Sequence, residues 1–191
     1  MSALSGTGPL LALALRRDRV LIPLSALALT AYSVGSAKAT VALYSDAASA
    51  MKDLGSVLNS PSTLTLYGPA TTTSLQGLSI FKTLLMGSVF VGLLAFTIVR
   101  RHTRVEEEEG RLELIGAGVV GRQAPLTAAV LLAVSTTLLV GGLSAAGMIG
   151  LGFPATGSLG FGAAWAITGL VMTGVTAVAC QLTRSARGAA G

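Results

Sequence analysis

Eighteen residues without a charge separate Arg19 from Lys38 (VLIPLSALALTAYSVGSA), and seventeen more separate Lys82 from Arg100 (TLLMGSVFVGLLAFTIV). From Gln123 to Thr183 the chain runs 61 residues without a Lys, Arg, His, Asp or Glu. A helix crosses a bilayer with about 20 mostly apolar residues, so the last run holds two crossings. It breaks at Gly152-Phe153-Pro154-Ala155-Thr156-Gly157-Ser158, where Gly, Pro and small polar residues favour a turn. Hydrocarbon offers no water to unsatisfied backbone groups, so each run must be helical. The pattern predicts an all-α integral membrane helical bundle, a single transmembrane domain over 1–191. Its four transmembrane helices are expected at about 20–43, 78–99, 125–151 and 159–182.

Composition agrees with that class. The chain is 52% hydrophobic and 11% charged, too little charge to clothe a soluble domain, which carries about 25%. Twenty-four glycines suit close helix packing in lipid. A sequence pI near 10.0 suggests nucleic acid, but the basic residues flank apolar runs instead of forming an aromatic-rich basic surface, so no nucleic acid is expected. The single cysteine, Cys180, excludes an internal disulfide framework and a cysteine zinc cluster; near the inner end of the fourth span it reads as a small packing residue. Ten arginines flank one side of the spans, at Arg16, Arg17, Arg19, Arg100, Arg101, Arg104, Arg111, Arg122, Arg184 and Arg187. The other side has Lys38, Lys52 and Lys82. The positive-inside rule then places both termini and the loop 100–124 in the cytoplasm, and the loop 44–77 outside. Ser36-Ala37-Lys38-Ala39 superficially resembles a signal cleavage site, but Lys38 interrupts it and the apolar run exceeds a signal h-region. Leu10, Leu11, Leu13 and Leu15 precede Arg16-Arg17-Asp18-Arg19; this reads either as an amphipathic helix in the membrane interface or as an unstructured terminus.

Five of the eight acidic residues lie within RRHTRVEEEEGRLELIGAGVVGRQAP, residues 100–125. Thr103 and Glu106 have the spacing of a capping box, which predicts a new helix starting there. Glu106 to Glu109 would occupy its first turns, where negative charge complements the helix dipole. Glu107 and Arg111 stand four apart, in the favourable order for an ion pair. Val105, Leu112, Ile115 and Val119 share a face, Gly116 and Gly118 can end the helix, and Pro125 can open the third span. The result is a short amphipathic cytoplasmic helix between spans two and three. It is either a solvated connector or a docking surface whose apolar face fills a pocket while its acidic turns meet a basic rim. Consecutive glutamates diverge around a helix, so a metal site is not indicated.

The wording EEEEGRLELIGAGVVGRQAPL resembles the cytoplasmic segment of ABC-2 type transporter permeases, and more closely that of actinobacterial exporters of polyketide antibiotics such as tetronasin. VRRHTRVEEEEGRLEL, AGVVGRQAPLTAA, QLTRSARGAAG, RRDRVLIPL at 16–24 and LYGPA at 66–70 extend the similarity over nearly the whole chain. The resemblance implies a permease of the bacterial cell (inner) membrane whose coupling helix seats in an ABC ATPase subunit. Its contact residues here would be Glu106, Glu107, Glu108, Glu109, Arg111, Leu112, Glu113 and Ile115. It further implies ATP and Mg on that partner, none in this chain, and a hydrophobic or amphipathic small-molecule substrate. Family permeases usually have two six-span halves, so four spans imply an additional permease half or a second copy, or a fragment of a longer protein.

Absences sharpen the reading. No P-loop pattern is present, so no ATPase activity is expected of this chain. The central part of each span lacks Asp, Glu, Arg and His, which disfavours proton-coupled antiport and an intramembrane hydrolase. Lys38 and Lys82 sit near outer ends, where they can snorkel. Gly142, Ala146 and Gly150 on the third span, and Gly162, Ala166, Gly169 and Thr173 on the fourth, have the spacing of faces that let helix backbones approach. Trp165 lies too deep for an interfacial belt and is expected to face lipid, or else a substrate path. Met51, Leu54 and Leu58 form one face of an outer-loop helix. The rival readings are a non-transporting membrane anchor that binds a cytoplasmic protein through the same helix, and a remnant of a longer permease.

Overall fold

The computed structural model describes residues 3–70, 72, 74–108 and 120–182. These residues form helices and turns, with no strand among them. Four helices are long and apolar enough to cross a membrane: Leu21–Leu43, Leu75–Val105, Ala124–Gly150 and Ala155–Leu182. They are called the first to fourth spans below. Pro23 and Pro125 each lie in the first turn of their span, where the missing N–H would have had no partner. Between the third and fourth spans the chain turns at Gly152, whose φ of 83° is left-handed, and the Phe153 N–H donates to the Met148 carbonyl. The first connection contains two further helices. Asp46 caps Ala47–Leu58 by accepting from the Ser49 N–H, and Ser60 caps Pro61–Tyr67 by accepting from the Thr63 N–H.

Before the first span lies a helix over Thr7–Arg17, so the leucines at 10–15 belong to an ordered element. It packs against the start of the third span. Its approach is fastened by backbone bonds, from the Gly121 N–H to the Ser5 carbonyl at 2.8 Å and from the Gln123 N–H to the Ala3 carbonyl at 3.1 Å.

The second span does not stop where the sequence pattern placed its end. Helix continues past Arg100 through a π turn over Arg101–Val105 and on through Glu106–Glu108. The capping box expected at Thr103 is therefore absent. The Thr103 hydroxyl instead donates backwards to the Val99 carbonyl at 2.7 Å, and Glu106 pairs with Arg17. The physical reason is that no glycine or proline stands between Gly92 and Gly110 to end the helix. The charges mark the membrane boundary, not the helix boundary.

Packing centres on the third and fourth spans. They cross so closely at Gly141 and Gly162 that a Cβ on either would fall on the other's carbonyl oxygen. Gly162, Ala166, Gly169 and Thr173 are buried along this contact and its continuation against the second span, and a Cβ at Gly169 would strike the Thr137 side chain. On the third span the expected face requires correction. Gly142, Ala146 and Gly150 are exposed, and a Cβ at Gly142 or Gly150 would meet nothing within 4 Å. The buried face is Gly141, Ser144, Ala145 and Met148. A shift of one residue rotates a helix face by about 100°. The consecutive Gly141 and Gly142 let either register read as small residues four apart.

The first span leans on the third through Gly147, where a Cβ would come within 2.6 Å of the Val34 side chain. Tyr32 meets Phe90 of the second span edge-to-face, ring centroids 6.4 Å apart. Trp165 also departs from expectation: it is fully buried, not lipid-facing. Its Nε1–H donates to the Leu84 carbonyl at 3.1 Å, and Gly87 leaves room for its ring. Two conditions make that burial possible, a hydrogen-bond partner for the indole and a glycine opposite. Most buried hydroxyls are satisfied within their own helix, as Thr136 by Leu132, Thr173 by Gly169 and Thr83 by Ile80.

Candidate partner-docking site

The acidic run begins on the helix that prolongs the second span, so the spans orient it directly. Glu106 turns inward to Arg17 of the N-terminal helix, and its side chain is only 12% exposed. Glu107 turns outward, 43% exposed, and pairs with Arg104 one turn back, not with Arg111 as its spacing suggested. Of these two glutamates, Glu107 is thus the one presented at the surface. Glu108 continues the helix. Glu109, Arg111, Leu112, Glu113 and Ile115 lie outside the described residues, as do Gly116, Gly118 and Val119.

Beneath this stub lies a cluster that sequence reasoning missed. Asp18 joins the N-terminal helix to the first span: its N–H donates to the Ala14 carbonyl, and its own carbonyl accepts from the Ile22 N–H. Its carboxylate has no exposure to solvent. His102 Nε2 stands 2.6 Å from Oδ2, and Arg101 Nη1 stands 3.0 Å from Oδ1. The histidine contact is a hydrogen bond. The arginine contact is an ion pair by distance, without the alignment of a hydrogen bond. Around it lie Arg17, paired with Glu106, and a small void of about 70 Å³ lined by Leu10, Ala14, Arg17, His102, Glu106 and Ala128. One signal was available in the sequence. Asp18 is the only acid in the first 45 residues, and it sits inside an arginine cluster.

Two larger concavities lie elsewhere. A groove of about 540 Å³ between the second and fourth spans opens sideways and is lined by Leu85, Ser88, Val89, Gly92, Thr168 and Met172. Its walls are apolar, and both hydroxyls are turned onto their own helices, Ser88 to Leu84 and Thr168 to Ala164. It can hold a hydrocarbon group but offers no charge to a polar one. A second, of about 220 Å³, lies at the end of the bundle remote from Arg100, between Thr72, Gln76, Phe153 and Ser158. Among the described residues no three His, Cys, Asp or Glu side chains come together as metal ligands. The Asp46 carboxyl, outside the spans, is held below its ordinary range by the Ser49 N–H that it caps.

No protein-family model matches the chain. Over 190 residues it is 40% identical to the multidrug efflux system permease protein Rv1217c of Mycobacterium tuberculosis. The match takes in 97% of this chain and 34% of that protein, so the chain spans about a third of the curated relative's length.

Proposed function

We propose that this multi-pass membrane chain is part of an efflux permease, driven by ATP hydrolysed on a separate ABC ATPase subunit. The 40% identity to an efflux permease over nearly the whole chain is the observation that carries the proposal. In this reading the arginine-rich end of the bundle is cytoplasmic, and the helix leaving Glu108 is the coupling element. Glu107, Glu108, Glu109, Arg111, Leu112, Glu113 and Ile115 engage the ATPase, while Glu106 is held back by Arg17. The partner binds ATP and Mg. Its closure pushes on the second span, which reaches the coupling element without a break. The apolar groove beside Gly92 suits a hydrophobic or amphipathic substrate, of which a tetronasin-like polyketide is one. An additional permease half or a second copy of this chain completes the pathway.

The test is purification from native membranes in mild detergent, with wild type and Glu107→Lys/Glu108→Lys/Leu112→Asp in parallel. Wild type is expected to bring down an ATP-hydrolysing subunit, which the triple variant loses, together with ATP-driven dye export from cells. Absence of that subunit, or equal capture by the variant, would overturn coupling through this segment and favour a membrane anchor.

A further inference from the structure

We infer that Asp18 is a positioning residue that holds the base of the coupling segment to the N-terminal helix; the inference rests on the function proposed above. Three elements meet at this one residue. Its backbone ends the helix Thr7–Arg17 and begins the turn into the first span. Its carboxylate reaches a third element, the π turn that carries Arg101 and His102. Consecutive residues of an α-helix point about 100° apart, yet here two neighbours converge on the two oxygens of one carboxylate. The wider π turn sits where that convergence occurs, and such turns recur at functional sites. A second contact repeats the link one turn further on, Arg17 to Glu106.

Stability alone does not account for the arrangement. A carboxylate without solvent contact is costly to bury even when paired, and apolar residues of similar size often serve as well. What the pair adds is direction. Arg101 and His102 accept only one placement of the N-terminal helix, and Arg17 then fixes the rotation at which Glu106 turns inward and Glu107 outward. The charged groups facing the cluster are Arg17 from the N-terminal helix, Arg101, His102 and Arg104 from the π turn, and Glu106 and Glu107 beyond it. Asp18 and Glu106 are the acids through which the N-terminal segment and the prolonged second span are tied.

The experiment is hydrogen exchange on the full chain in lipid nanodiscs, with capture of the ATPase subunit measured in parallel. The variants are Asp18→Asn, His102→Gln, Arg17→Glu and the swap Arg17→Glu/Glu106→Arg. Asp18→Asn and His102→Gln are expected to raise exchange over residues 7–17 and 101–108 by about tenfold or more, as for a buried pair deprived of one partner, leaving the cores of the four spans unchanged. ATPase capture should weaken in step. Arg17→Glu should loosen the same segments and the swap restore them, which a merely structural loss would not do. Unchanged exchange in 7–17, or loosening spread over all four spans, overturns the inference. So does loosening without any change in capture, even though the exporter reading then stands. If wild type captures no ATPase, the exporter reading fails, and the coupling role assigned to Asp18 fails with it. The exchange data would then still show whether the latch exists.

Discussion

Adding one methyl group at Gly141 or Gly162 tests the closest approach in the bundle. A Cβ at Gly141 would fall on the Gly162 carbonyl oxygen and come within 3.3 Å of the Ala166 Cβ. A Cβ at Gly162 would fall on the Gly141 carbonyl oxygen, 3.0 Å from the Ala145 Cβ. The obstacle is backbone, which cannot rotate aside like a side-chain tip, so the third and fourth spans must part. A gap of roughly 0.5–1 Å forfeits a quarter to a half of the dispersion energy of each affected contact. Overpacking of this kind costs about 1–3 kcal/mol, or about 2–12 °C in an apparent midpoint for a chain of this size. Gly142→Ala and Gly150→Ala are the controls, since nothing lies within 4 Å of either new methyl. They should be neutral or slightly stabilising, because alanine is the better helix former. Heating in detergent followed by size-exclusion chromatography reads the difference. If Gly142→Ala destabilises as much as Gly141→Ala, the packing register described above is wrong.

Trp165 is the chain's one tryptophan, so its emission reports on the contact with Leu84 and Gly87; Trp165→Phe should cost about 0.5–1.5 kcal/mol for the lost hydrogen bond, whereas Gly87→Ala should shift the emission of the wild-type indole. An emission insensitive to Gly87→Ala would refute that packing. Asp46 is held below the ordinary carboxylate range by its cap, so its stabilising effect on the helix Ala47–Leu58 is present above 3.8 and fades as pH falls through its lower folded value. Asp46→Asn should remove that acid-side dependence while keeping a cap, as followed by amide exchange of residues 47–50. Gln123→Cys and Ser62→Cys, each made in a Cys180→Ala background, place a thiol at opposite, exposed ends of the bundle. If the arginine-rich end is cytoplasmic, an impermeant thiol reagent applied to intact cells labels the Ser62→Cys variant alone, and the reverse pattern inverts the topology.

The runs without charge made the four spans legible, because crossing hydrocarbon leaves a chain little freedom in composition. Rotation about each helix axis was not legible. On the third span Gly141 and Gly142 offered two equivalent small-residue registers, and only the neighbouring helix chooses between them. Trp165 misled for a related reason. Depth along a span can be read from sequence, but burial depended on Gly87 and Leu84, 78 and 81 positions away. The acidic run was conspicuous by its charge, yet its capping box proved inactive, since a helix already arriving from the second span needs no new start. Asp18 was passed over because its value lies wholly in partners 83 and 84 positions distant.

The π turn at Arg101–Val105 makes the second span resemble a camshaft with an adjustable phase. Relaxing five residues from π to α winding would turn everything beyond Val105 by roughly 90–100° about the helix axis without bending it. A face directed at one neighbour would then be directed at another. Torque applied from outside the membrane core could be stored, or released, as a quarter turn.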